Sequence, residues 1–261
     1  MPVIQFQNRP ISYSKYHKGP CILLLHGFLE TKEVWNAFAE SFENYMVIAP
    51  DLPGHGASDV IAASHTMELM ADAVNAILEH EKIETCFVYG HSMGGYVAEA
   101  FSRKYPQKVQ ALGLLHSTFY ADSEEKKQNR LREIELIKNG KQSLVVSGML
   151  PKIVASQNLP ALRSTVESIM ERAKRFKPEG IVATLTGMMQ RVEHRVDPML
   201  PFHLVGSDAD QFIPLEVYQK MANDNPSIHY DCILDCGHTS FIEKPQIVIP
   251  VIKKFLHSAT K

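Results

Sequence analysis

From Cys21 to Ser117 the chain alternates short apolar runs, "CILLLH", "YMVIAP", "TCFVYG" and "QALGLLHS", with longer segments of helical period. That alternation is the pattern of parallel strands joined by crossover helices. The intervening segments "TKEVWNAFAESF", "TMELMADAVNAILEHE" and "SMGGYVAEAFSRKY" place apolar residues three or four apart, and the last stops before Pro106. A doubly wound sheet is expected here. The preceding "MPVIQFQNRPISYSKYHKGP" alternates apolar and polar residues like a strand.

The pattern breaks after Ser117. From Tyr120 to Arg195 the chain reads as several helices separated by turn-prone "KNG", "QNLPA" and "KPEG", with no convincing buried strand. Strand-like "MLPFHLVG", helical "PLEVYQKMANDN", strand-like "IHYDCILDC" and a helix from about Ser240 then resume the alternation. The expected organisation is a core of residues 1–119 and 196–261 with a helical insertion at 120–195. Charge follows the same division: the insertion carries 14 Lys and Arg against 9 Asp and Glu, and the remainder 13 against 20.

The whole chain of 261 residues has a formal net charge of -2, so it offers no basic footprint and nucleic acid is not an expected partner. The start lacks a charged segment followed by an apolar stretch and a cleavage site, and the apolar runs are too short to span a bilayer. Cys21, Cys86, Cys232 and Cys236 sit in or beside strand-like runs and are read as reduced, which places the protein in the cytoplasm.

The segment "VYGHSMGGYVA" sets Ser92 in G-x-S-x-G between a strand-like run and a helix. This context is what a sharp turn needs if it is to lift a strained Ser out of a sheet, with glycines on either side letting backbone approach. A Ser hydroxyl is a poor nucleophile without a base, and the base needs an orienting acid. Among twelve histidines, His238 in "DCGHTSFIEKP" stands in a loop at the carboxyl end of a strand-like run, the edge on which open α/β sheets assemble their sites. Cys232, Cys236 and His238 could be put forward as metal ligands, but Cys232 lies inside the strand and no fourth ligand has a familiar zinc spacing.

Taken in order, "LLLHGFLETKEVW", "APDLPGHGASD", "YGHSMGGYVA", "VGSDADQFIP" and "CGHTSFIEKP" resemble the α/β-hydrolase superfamily, and within it the cap-bearing esterases, carbon–carbon hydrolases and related lyases. The resemblance implies an α/β-hydrolase fold with a helical cap, Ser92 as nucleophile, His238 as general base, and an Asp after the sixth or seventh strand as its orienter. It implies further that the backbone N–H groups of Phe28 and Met93 form an oxyanion hole, while His26, His55 and His91 are structural or line the pocket. No metal or organic cofactor is implied. Some pieces resemble the lyase that eliminates pyruvate to make a menaquinone precursor, but that group usually has an Arg after the second Gly of the turn, where this chain has Tyr96.

Two acids compete for the orienting role. The family pattern puts the acid three residues after the Gly and four before the Pro, yet one residue too many lies between Gly206 and Pro214. Counting forward reaches Ala209, and counting back reaches Asp210. The proline is the firmer anchor because it suits the start of the following helix. Asp210 is therefore the assignment, with Asp208 as a turn residue and the alternative. In the insertion, "SLVVSGMLPKIV" and "TLTGMMQRV" could line an acyl pocket or simply build core. The expected activity is hydrolysis of a small, largely apolar carboxylic ester through an acyl-enzyme. The alternatives are carbon–carbon cleavage or elimination with the same triad, and a hydrolase-fold ligand receptor of weak activity. Acyl length, stereochemistry and oligomeric state stay open.

Overall fold

The computed structural model describes residues 2–194 and 197–259. Eight strands form one sheet: β1 (Val3–Phe6), β2 (Arg9–Tyr16), β3 (Cys21–Leu25), β4 (Met46–Pro50), β5 (Cys86–His91), β6 (Val109–Leu115), β7 (Phe202–Ser207) and β8 (Ile228–Ile233). Their spatial order is β1-β2-β4-β3-β5-β6-β7-β8. The β1–β2 and β2–β4 pairings are antiparallel and all the others are parallel. The strand-like start is thus a hairpin. It turns on Gln7 and Asn8, both in left-handed backbone (φ 49 and 61), the two-residue turn whose twist matches that of paired strands.

The helices are α1 (Asn36–Glu40), α2 (Met67–His80), α3 (Met93–Lys104), α4 (Glu124–Lys138), α5 (Gln142–Met149), α6 (Leu159–Ala173), α7 (Pro178–Met189), α8 (Leu215–Asp224), α9 (Ser240–Glu243) and α10 (Pro245–Ala259). Successive side chains of a strand point to opposite faces, so each buried strand feeds two cores. Leu23 and Leu25 of β3 join Met70 and Val74 of α2 and Phe101 of α3 on one side. Ile22 and Leu24 join Phe38 of α1 and Ile252 of α10 on the other.

Between β6 and β7 the described residues form the helices α4 to α7 without a strand. These helices have no core of their own, because Ile137, Val146, Ile169 and Leu185 belong to the same apolar cluster as the α2–α3 face of the sheet. The expected boundary at 195/196 falls on Arg195 and Val196, which lie outside the described residues. The "KPEG" read as a separator is instead the first turn of α7, with Pro178 at its start, where a missing N–H costs nothing.

Tyr89, Gly113, His203 and His229 stand side by side across β5, β6, β7 and β8. The Tyr89 ring lies over Gly113, where a Cβ would meet it at 2.1 Å, and its hydroxyl reaches His203 Nδ1 at 2.9 Å. Strand β3 has β4 on one side and β5 on the other, so the direction of winding reverses between β3 and β5. At such a switch point the loops leaving the carboxyl ends of the strands part and open a crevice. None of the helices among the described residues is long and apolar enough to cross a membrane.

Candidate active site

Ser92 stands in that crevice, between the end of β5 and the start of α3, with φ 49 and ψ -115. Left-handed backbone at a residue with a side chain is strained, and it persists only where the surroundings hold it. The Ser92 N–H donates to the Leu115 carbonyl at 3.0 Å, and the Ser117 hydroxyl donates to the Ser92 carbonyl at 2.7 Å. The flanking glycines are required by space. A Cβ at Gly90 would meet the Gly94 carbonyl oxygen at 2.1 Å, and one at Gly94 would meet the Leu25 carbonyl oxygen at 2.3 Å.

His238 follows β8 and lines the same cavity as Ser92. Its Nδ1 donates to Asp210 Oδ2 at 2.7 Å, so in the neutral ring Nε2 is left with a lone pair. The Asp210 carboxylate is fully buried and saturated with donors. Oδ1 accepts the Phe212 and Ile213 N–H groups at 2.8 and 3.1 Å, and Oδ2 also accepts the Tyr218 hydroxyl at 2.5 Å. Burial pushes this carboxyl up, but His238 and then His116, whose Nδ1 is 3.6 Å away, outweigh burial and hold it far below the usual carboxylate range. Asp208 makes no such contact. It accepts the Cys236 N–H at 3.3 Å, while the Ala209 N–H donates to the Cys236 carbonyl at 3.0 Å. The residue that upsets the family spacing is therefore taken up in a turn laid against the loop that follows β8.

Phe28 and Met93 border the cavity, Phe28 after β3 and Met93 as the first residue of α3. The Gly27 carbonyl is held by the Glu30 N–H at 3.2 Å and by His26 Nδ1 at 2.8 Å. In a trans peptide the carbonyl and the next N–H point in opposite directions, so this grip also sets the direction of the Phe28 N–H. His26 accepts the Leu52 N–H at 2.9 Å through Nε2, and burial holds its imidazole below its ordinary value. Burial does the same, more strongly, at His55, which packs on His26 with ring centres 5.2 Å apart. His91 lines the cavity and pairs with Glu30, a contact between residues 61 apart that no local pattern signals.

The cavity measures about 220 Å³. Met149, Leu150, Ile153 and Met188, all within the two apolar segments singled out in the insertion, do line it. A second wall was not anticipated: α4 turns Lys126, Arg130 and Glu133 toward the same space. This helix buries only Ile134 and Ile137 and is held instead by a Ser123 cap on the Lys126 N–H and by an ion-pair cluster at its base. Fully buried Asp122 accepts Arg130 Nε at 2.6 Å and Arg191 Nη2 at 3.0 Å. Burial alone would raise the Asp122 carboxyl, and the two guanidiniums bring it below its usual value. The Arg191 guanidinium also lies 3.6 Å over the Tyr96 ring, beside the position where the lyase group carries its Arg.

Glu243 joins the His238 loop to the inserted helices, accepting the Gly237 N–H at 2.8 Å, the Ala155 N–H at 2.9 Å and Asn158 Nδ2 at 2.8 Å. Cys236 Sγ lies 3.5 Å from the same carboxylate, and all four cysteines are free thiols. Among the described residues, groups able to converge on a cation are His116, Asp210 and His238, and also His203, His229 and Asp231. The second group is a hydrogen-bonded chain. With Tyr89 donating to His203 Nδ1, the ring's proton sits on Nε2 and goes to Asp231 at 3.0 Å, which leaves no lone pair for a metal.

Residues 20–133 match the family described as the alpha/beta hydrolase fold. The chain is 30% identical to a thermophilic esterase from Thermogutta terrifontis solved with malate bound, with a TM-score of 0.91 over 97% of this chain and 95% of that one. It thus belongs to the α/β-hydrolase superfamily. A Bacillus subtilis protein provisionally named 2-succinyl-6-hydroxy-2,4-cyclohexadiene-1-carboxylate synthase is 24% identical over 270 residues, covering 95% of this chain and 96% of that protein. An uncharacterized protein of Mycobacterium tuberculosis is 40% identical over 98 residues, a stretch that spans 37% of this chain and only 29% of that protein.

Proposed function

We propose that the protein is a serine hydrolase that cleaves a small carboxylic ester through an acyl-enzyme on Ser92. The observation that carries this reading is the Asp210–His238 pair: a buried carboxylate fixes Nδ1 of a ring whose other nitrogen remains free as a base, beside a serine in strained backbone on the same cavity. His238 takes the Ser92 proton as Oγ attacks the ester carbonyl carbon, and Asp210 stabilises the imidazolium that forms. The N–H groups of Phe28 and Met93 receive the developing oxyanion, a contribution of about 3 kcal/mol per donor. The intermediate collapses with the proton passing from His238 to the departing alcohol. A water then repeats the sequence on the acyl-enzyme, giving its proton to His238 and releasing the acid.

The inserted helices serve as a cap in this reading, which accords with their place on the cavity. A space of about 220 Å³ suits a short acyl group and a small alcohol. Four free thiols accord with a reducing, cytoplasmic setting. The test is turnover of short p-nitrophenyl acyl esters together with labelling by a fluorophosphonate. Both are expected in the native chain and absent in Ser92→Ala, and labelling of the Ser92→Ala chain would refute the assignment.

A second reading, elimination or carbon–carbon cleavage on a carboxylate-bearing substrate, is favoured by Lys126 and Arg130 on the cavity wall and by the B. subtilis relative, whose provisional name is that of a carboxylate synthase. Activity on a vinylogous diketone or a polycarboxylate, without turnover of any simple ester, would select it.

A further inference from the structure

Glu30 and His91 are both about 1% exposed and take no part in the proton transfers above. Glu30 lies in the loop after β3, His91 immediately precedes Ser92, and they meet at 2.9 Å through Oε2 and Nδ1. The same carboxylate oxygen accepts the Gly27 N–H at 2.7 Å. On the far side of the ring, Nε2 lies 2.8 Å from the His238 carbonyl oxygen. A carbonyl oxygen only accepts, so Nε2 carries a proton, and a second proton lies in the bond between Nδ1 and Oε2. Burial pushes the Glu30 carboxyl up, and the imidazole and the Gly27 N–H reverse this and leave it below its ordinary value, which favours the ionised form. Space is fitted to the pair, since a Cβ at Gly27 would meet His91 Nδ1 at 2.8 Å and Glu30 Oε2 at 3.0 Å. The other titratable rings facing His91 are His238 and His116, with centres 4.9 and 6.2 Å away, and Phe241 closes the box at 4.9 Å.

We infer that the Glu30–His91 pair is a positioning device locking the Phe28 loop, the Ser92 turn and the His238 loop to one another. The inference rests on the serine-hydrolase reading. Each of the three loops leaves a different strand: the Glu30–His91 bond ties the first to the residue before Ser92, and the bond from His91 to the His238 carbonyl ties that residue to the third, so one rigid unit without net charge aligns all three. Positioning of this kind acts on the reaction step rather than on binding, because a displacement of about 1 Å at reacting groups can cost on the order of 100-fold in rate.

The decisive variant is Glu30→Gln, which keeps the volume of the side chain and removes its charge. On p-nitrophenyl butyrate, kcat is expected to fall about 10- to 100-fold with KM within about threefold of native. In protein labelled with ¹⁵N-histidine, one ring should show hydrogen-bond protons at both Nδ1 and Nε2 that exchange slowly with solvent. That signal should be missing in His91→Gln, which assigns it, and in Glu30→Gln. A native kcat in folded Glu30→Gln, or a His91 ring in the native protein with no protected proton at Nδ1, would overturn the inference. Should Glu30→Gln not fold, the nitrogen signals of the native protein decide alone. They also separate the two readings, because a protected His91 ring in a chain that turns over no ester sinks the esterase proposal and leaves the pair standing.

Discussion

Around Ser92 the sheet and the inserted helices contribute different kinds of wall. The sheet side is built of short-range constraints: a left-handed serine, a carboxylate saturated by buried donors, and glycines that admit no side chain. The α4 side presents long charged side chains on a helix that buries few of its residues, with Lys126 exposed. Rigid groups suit the reacting atoms, where angstrom errors are expensive, and long solvated groups suit the selection of what enters. The difference assigns the two regions different kinds of sensitivity.

The largest effects belong to the sheet. Ser92→Ala should lower kcat by on the order of a millionfold without changing the circular dichroism spectrum. Asp210→Asn should lower it by about 10⁴-fold, while Asp208→Asn keeps most of the activity. Steady-state kinetics of the two asparagine variants check this, and reversed effects would mean that the carboxylate 2.7 Å from His238 is not the working one.

At the base of the inserted helices the expected loss is of stability. Asp122→Ala leaves Arg130 and Arg191 without their shared carboxylate and should cost about 3–5 kcal/mol in urea unfolding. A native midpoint would show the cluster to be incidental. The link between the two regions should be visible in pH. His65, in the loop after β4, donates its N–H to the Ala183 carbonyl of α7 at 2.9 Å and accepts the Ile61 N–H through Nε2 at 3.1 Å. Burial pushes its imidazole down to about 4. An unfolded imidazole titrates near ~6.5, so between that value and about 4 the unfolded chain binds more protons. Stability from this residue is thus fully present above about pH 6.5 and is lost as pH falls through the window, by on the order of 3 kcal/mol at most. His65→Gln should flatten that slope in urea titrations repeated across the window. The smallest effect is at Lys126: replacement by Gln should leave p-nitrophenyl butyrate kinetics unchanged and raise KM for a negatively charged hemiester a few fold, since exposed charges contribute under about 1 kcal/mol. Equal KM changes for both esters would end the idea that this wall discriminates by charge.

What the sequence made legible was local. Apolar runs such as "CILLL" and "TCFVYG", the glycines about Ser92 and the loop position of His238 each carry their meaning within a few residues, and all fall where the pattern put them. That Asp210, and not Asp208, stands against His238 depends on the loop after β8, on which the intervening turn is laid. Glu30 with His91 is invisible in one dimension because the partners come from loops after different strands. The charged face of α4 went unread for another reason: attention to apolar spacing finds core, and a helix held by a cap and a buried carboxylate advertises neither.

Gly113 touches neither Ser92 nor His238, yet the ring of Tyr89, a β5 residue three positions before Ser92, fills the place where its side chain would be. In a randomised library the position would score as intolerant, and it could be mistaken for a substrate contact. An alanine there would push on the strand that leads into Ser92, so the fitness map of this protein should show a dark spot deep in the sheet that reports on access for a neighbouring ring.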